Sequence, residues 1–210
     1  MRSYSLLFVV SFFFHLNVTS QEKFGEYAII LEEGRLASGP YDLKISREKQ
    51  LLYVFMRPIK EGSIKEGEGG IELSIKKKQH QAFISALINA KQKFVEWDSV
   101  AKKNNVNEEV RKEMNFRLSG IKAFFKYGSS WRFQKWIDLV FYFLYTKEQK
   151  PILYVRTTTL TADDNQYMKH DGFVLYFDDI SKIDEFADML TDSKIQEFLS
   201  SPPANDLFKD

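Results

Sequence analysis

The sequence predicts an α+β fold in which antiparallel strands pack against one long central helix and a C-terminal helix. Three observations predict it. Apolar and polar residues alternate over several short stretches, six apolar residues fall on one helical face between Phe83 and Ala101, and a helical spacing returns after Asp178.

Tyr41, Leu43 and Ile45 alternate with Asp42, Lys44 and Ser46, and residues 51–56 form a short apolar run closed by Pro58. These read as two strands paired as a hairpin around residues 47–50. Four glycines and mixed charge over 60–70 read as a loop. Ile71, Leu73 and Ile75 alternate again as a third strand. Next, Phe83, Leu87, Ala90, Phe94, Trp97 and Ala101 are spaced four, three, four, three and four residues apart, which predicts a helix over 78–103, roughly 39 Å long at about 1.5 Å per residue. Lys102 and Lys103 suit the negative end of its dipole, and Asn104-Asn105 suits a left-handed cap. An apolar stripe this long belongs to a core-facing helix.

Asn107 before Glu108 and Glu109 has the form of a helix start and predicts one or two turns ending near Met114. The period then becomes two. Phe116 and Leu118 share one parity and Ile121, Ala123 and Phe125 the other, so a β-bulge at Gly120 is expected to keep all five on one face. Trp131, Phe133, Ile137, Leu139, Phe141, Phe143 and Tyr145 then hold one parity, interrupted only by Lys135, which predicts a long strand with one buried face. Residues 127–130 are its turn from the strand before. Pro151 opens another strand reaching about Leu160, and Phe173, Leu175 and Phe177 form the last. The closing helix runs over 178–199 with a break near 191–193. Ser181 and Asp184 have capping-box spacing. Pro202-Pro203 ends the pattern, and a frayed tail is expected after it.

The strand and helix at 70–75 and 83–87 resemble those at 172–177 and 186–190, as two pseudo-repeats over 26–105 and 107–200 would. Chance likeness between two strand-to-helix junctions explains this equally well. The domain expectation is a signal peptide over 1–20 followed by one α+β domain over 21–210.

Arg2, the apolar stretch 6–18 and the ending Val18-Thr19-Ser20 form the pattern of a secretory signal peptide, with cleavage expected between Ser20 and Gln21. A secreted or periplasmic location follows, and no later run is long enough to span a membrane as a helix. With no cysteine there is no disulfide and no lipid-anchoring Cys, so stability rests on the core. The 19 phenylalanines suit a core built largely from rings.

Loss of Arg2 with the signal leaves 29 basic residues (30 minus one) against 29 acidic, and a neutral chain disfavours nucleic acid as partner. The balance is uneven. Residues 111–150 hold nine basic and three acidic side chains, and 161–193 hold nine acidic and two basic.

Chemistry is largely excluded by absence. Without Cys there is no thiol nucleophile, and no nucleophile elbow, zinc helix or phosphate loop occurs. Ser-x-x-Lys occurs at Ser99 and Ser119 without its companion motifs, as chance predicts in a chain rich in Lys. No cofactor and no metal site are expected. Two constellations remain. The loop 161–172 gathers Asp163, Asp164, Asn165, His170 and Asp171, and supplies Asp163, His170 and Asp171 as candidate acid-base groups. It fails as an EF-hand, because the sixth position lacks Gly and Val174 stands at the twelfth. Turn chemistry alone predicts the same composition. The second constellation is Arg117, Lys122, Lys126, Tyr127, Trp131, Arg132, Lys135 and Trp136, basic and aromatic residues interleaved on adjacent strands as in ligand-binding sheet faces. A plain solvent face would also carry such lysines and arginines. The functional expectation is an exported, non-catalytic module that binds an unknown protein or small ligand through a sheet face. The alternative is a hydrolase or metal-dependent enzyme using the loop of Asp163 and Asp171.

Overall fold

A computed structural model describes residues 21–29, 38–59 and 68–202. The expected signal segment, most of the glycine-rich loop (60–67) and the tail from 203 lie outside the described residues. The elements are, in order, β1 (Glu22–Ile29), β2 (Ser38–Ser46), β3 (Leu51–Pro58), β4 (Gly69–Ser74), α1 (Gln79–Lys103), β5 (Val110–Tyr127), β6 (Ser130–Tyr145), β7 (Pro151–Thr157), β8 (Leu160–Ala162), β9 (Asn165–His170), β10 (Phe173–Phe177), α2 (Ile180–Met189) and α3 (Asp192–Ser200). The fold is α+β, with every strand pairing antiparallel.

The eight-stranded sheet runs β1-β2-β3-β10-β7-β6-β5-β4 and closes on itself, because β3 also pairs with β4. Backbone hydrogen bonds fix which edges meet. Ile75 N donates to Gln50 O at 3.0 Å on the β4 side, and Ile59 N donates to Gly172 O at 3.0 Å on the β10 side. Since successive residues of a strand turn their polar groups to opposite edges, β4 lies along one edge of β3, while β2 and β10 share the other. Closure is short, only Arg57 and Pro58 opposite Val174 and Phe173. Strands from both halves of the chain build this one closed sheet.

β2 pairs with β3 as far as Val54, and β10 joins at Arg57. Phe55 falls in the fork between them. The Tyr27 hydroxyl donates to the Phe55 carbonyl there. Burial pushes that hydroxyl well above its ordinary pKa, so it stays a neutral donor.

One face of the sheet carries the core. Leu52, Val54 and Met56 of β3, Ile71 and Leu73 of β4, and Leu153 and Val155 of β7 meet Phe83, Leu87, Ala90 and Phe94 of α1. The predicted stripe is therefore the buried face of α1, with Trp97 packed edge-on against Phe143 at 5.8 Å between centroids. Each fully buried Leu or Phe contributes about 1.5–3 kcal/mol of transfer free energy. Asn105 ends the helix at φ 50°, the expected left-handed residue. Polar cross-links hold the C-terminal helices to this frame, among them Lys91 Nζ donating to the Asp184 carboxylate at 2.7 Å. His80 Nε2 meets the Asp192 carboxylate, and Arg47 donates to the carbonyls of Leu199 and Ser201 at 2.8 Å each, where the negative end of α3 favours a cation.

Several expectations are corrected. No helix covers 107–114, since β5 is already extended from Val110. Its first residues pair only with β6, and Arg111, Lys112 and Glu113 are polar because they stand on an open sheet edge. Gly69 and Gly70 belong to β4 rather than the loop, where a Cβ at Gly70 would collide with the Val54 carbonyl oxygen. The α2 cap is Asp179, whose side chain accepts from Ser181 N at 2.7 Å, so Ser181 is not the capping residue. The loop 161–172 contains the hairpin β8-β9. β1 escapes sequence reading because a bulge after Lys23 breaks its alternation.

Candidate functional site

The hairpin of β5 and β6 holds the site, and two opposed bulges shape it. From Leu118↔Leu139 to Ile121↔Ile137, three steps on β5 match two on β6. From there to Ala123↔Gln134, two steps on β5 match three on β6. Between Leu118 and Ala123 the register slips once on each strand and is restored. Gly120 takes φ 77°, as the sequence-predicted bulge requires, while Trp136 takes φ 60°. A residue with a Cβ in that region costs about 1–2 kcal/mol, and such strain concentrates at functional positions. Gln79 Nε2 donates to Gly120 O at 3.1 Å, anchoring the bulge to the start of α1.

The second bulge overturns one expectation. Ile137, Leu139, Phe141, Phe143 and Tyr145 face the core, but Trp131 and Phe133 lie on the opposite face. An extra residue in a strand reverses the parity of everything beyond it. Trp131 is 42%, Phe133 39% and Trp136 81% exposed.

On this outer face Phe55 and Phe124 meet edge-on at 5.0 Å, and Trp131 lies 5.7 Å from Phe124 and 6.3 Å from Phe55. Lys122 stands over the Phe133 ring at 4.3 Å and pairs with Glu72 at 3.0 Å, and Lys44 stands over Phe55 at 4.7 Å. The result is an aromatic platform with ammonium groups beside it. Further along the same face Tyr142 stacks on Tyr154 at 4.9 Å, with Arg111 over both rings. Burial pushes the Tyr154 hydroxyl up to about 12, against the opposing effect of Arg111.

The structure gathers only part of the predicted constellation. Lys122, Lys126 and Trp131 share the outer face, Lys126 lying directly across from Trp131. Trp136 stands at the bulge. Tyr127 packs against the core instead, and Arg132, cross-strand from the buried Phe125, pairs with Asp164 at 2.7 Å. Arg117 lies beyond the bulges, paired with Glu113 at 2.8 Å.

Beside the bulges is a cleft of about 330 Å³, lined by Glu72, Lys77, Gln79, Lys122, Lys135 and Trp136 among others. Sequence reading named Lys122, Lys135 and Trp136 but missed Glu72, Lys77 and Gln79, which come from β4 and the start of α1. The only local signal was the run Lys76-Lys77-Lys78. Two further clefts, of about 400 and 510 Å³, lie beside β1 and α2. Neither they nor the first is lined by Asp163, His170 or Asp171.

Those three residues have structural surroundings. Asp163 sits in the β8-β9 turn, its carboxylate accepting from Lys135 N at 3.2 Å and its own N–H donating to Phe133 O at 2.9 Å. It therefore clamps the bulged stretch of β6. His170 closes the other end of β9, about 17 Å away at ~3.3 Å per residue. Its ring is buried, stacked on Phe173 at 4.3 Å, and Nδ1 accepts from Gly172 N at 2.9 Å, which puts the proton of the neutral ring on Nε2. Asp171 is half-buried. Among the described residues no three His, Asp or Glu side chains are grouped to hold a metal ion, and no helix is long and apolar enough to cross a membrane.

No protein family matches the chain, and neither a curated protein nor a solved structure resembles it.

Proposed function

We propose that this protein is an exported, non-catalytic binding module whose recognition surface is the outer face of β5 and β6 around the paired bulges. The observation that carries the reading is the exposure of Trp131, Phe133 and Trp136 on adjoining stretches of one rigid hairpin. Large aromatics, and Trp above all, dominate binding energy at recognition surfaces, and a contiguous exposed apolar patch marks an interaction site. Strand residues are also held more precisely than loop residues, so the platform is formed before a partner arrives. Export is supported by the pattern of residues 1–20. N-terminal sequencing of the exported protein is expected to begin at Gln21, and a retained Met1 contradicts export by cleavage.

The binding reading is tested by immobilising the protein and comparing retention from the extracellular or periplasmic fraction of its host. Partner retained by the wild type should be lost with Trp131→Ala/Trp136→Ala while the melting temperature stays within a few degrees. Equal retention by the double variant removes this surface from the account.

A further inference from the structure

We infer that the cleft beside Trp136 binds a small anion carried on a six-membered ring, a carboxylate or phosphate attached to a sugar or aromatic ring; this rests on the outer face being the recognition surface. Charge comes first. Three lysines, Lys77, Lys122 and Lys135, line the cleft against one carboxylate, Glu72. Lys122 and Glu72 neutralise each other at 3.0 Å. Lys77 and Lys135 have no ion-pair partner among the described residues, so two positive charges remain. A concave site lined by one sign of charge concentrates the field that a ligand of opposite sign feels.

Shape comes second. The cleft, about 330 Å³, lies at the lower end of small-molecule sites, which span ~300–1,000 Å³. It suits one ring with its charged group better than a folded segment of another protein. Trp136 supplies the wall, four-fifths exposed and placed over Gly120, where a Cβ would stand 3.9 Å from its six-membered ring. The indole thus has one edge over the bulge, where the positive φ of Gly120 rather than space calls for glycine, and the remaining indole surface is open to a ligand ring. The Gln79 side chain bonds both Ser74 N at 2.8 Å and Gly120 O at 3.1 Å, and so fixes the floor between β4, α1 and the bulge.

Isothermal titration at low ionic strength tests this with phenyl phosphate and glucuronate as probes, and benzyl alcohol and glucose as their neutral counterparts. The anions should bind at least tenfold more tightly than the neutral compounds, and the tighter of the two anions identifies the ring. Lys77→Ala/Lys135→Ala should weaken the anions tenfold or more, and Lys77→Glu/Lys135→Glu should abolish their binding. Trp136→Ala should reduce phenyl phosphate to the affinity of inorganic phosphate. Equal affinity for neutral probes, or anion binding indifferent to the lysines, overturns the inference. Silence from every probe while partner retention still depends on Trp131 and Trp136 overturns it alone. Loss of that dependence as well overturns the binding reading beneath it.

Discussion

The two ends of the β5-β6 hairpin are built from the same kinds of residue and do different things. At one end Phe141, Phe143 and Tyr145 of β6 are buried in the core, and the face opposite them is covered by the Tyr142–Tyr154 stack with Arg111 over both rings. At the other end Trp131 and Phe133, spaced along the strand just as regularly, are turned outward. Aromatic composition does not separate core from surface here. One inserted residue at Lys135-Trp136 does, by reversing the parity of the strand.

The comparison is broken most severely by shortening an aromatic at the buried end. Phe141→Ala should cost about 3–5 kcal/mol, whereas Trp131→Ala, which removes two ring contacts from a partly exposed side chain, should cost about 1–2 kcal/mol. Urea unfolding of both variants checks the contrast, and similar losses would mean that the two ends are not distinct. Next in size is the fork in the sheet that keeps the closed end in shape. Tyr27→Phe strips the donor from the half-buried Phe55 carbonyl and should cost about 1–3 kcal/mol; an unchanged midpoint would show that the carbonyl finds another donor.

Smaller effects bear on the bulges themselves. Gly120→Ala places a Cβ at φ 77° and should lose about 1–2 kcal/mol. Trp136→Gly relaxes the residue opposite it, and stability should hold or rise by up to ~1 kcal/mol while partner retention falls. A stabilised but non-binding variant is the signature of strain kept for function. A Trp136→Gly variant that loses both stability and retention would instead make Trp136 a structural residue.

The smallest effect is a pH dependence remote from the hairpin. The hydrogen bond from His80, aided by Gln81, holds the Asp192 carboxyl below its ordinary range, against partial desolvation. A depressed carboxylate contributes stability above its unfolded pKa of about 3.9 and loses that contribution as pH falls through the folded value. The melting temperatures of wild type and Asp192→Asn should therefore differ at pH 7 and converge in acid. A difference that stays constant down to pH 2 rules the contact out.

Much of this was legible in the residues. The parity switch across Gly120 shows in the spacing of Leu118 and Ile121, and the α1 face shows in six apolar positions. The matching bulge on β6 left a weaker trace, Lys135 interrupting an apolar parity, which reads equally well as one tolerated polar residue. Only the pairing with β5 distinguishes the two, because register is a property of two strands. Asn107-Glu108-Glu109 misled for the same reason: polar residues in the connection that leads into an open-edge strand look like a helix start when the partner strand is unknown. The cleft was illegible because Lys77 and Gln79 come together with Lys135 only through the pairing of β4 with β5 and of β5 with β6. The acidic loop read as chemistry because turn residues and catalytic residues are drawn from the same few types, and Asp163 serves the backbone of β6.

The most direct measurement is a photo-crosslinking scan of the protein with its retained partner. Photoreactive residues are placed at Phe133 on the outer face, at Ile88 on the exposed side of α1 and at Tyr167 on β9. Adducts should form from position 133, and not from 88 or 167. Adducts from position 88, with none from 133, would place recognition on the helix and contradict a binding surface on β5 and β6.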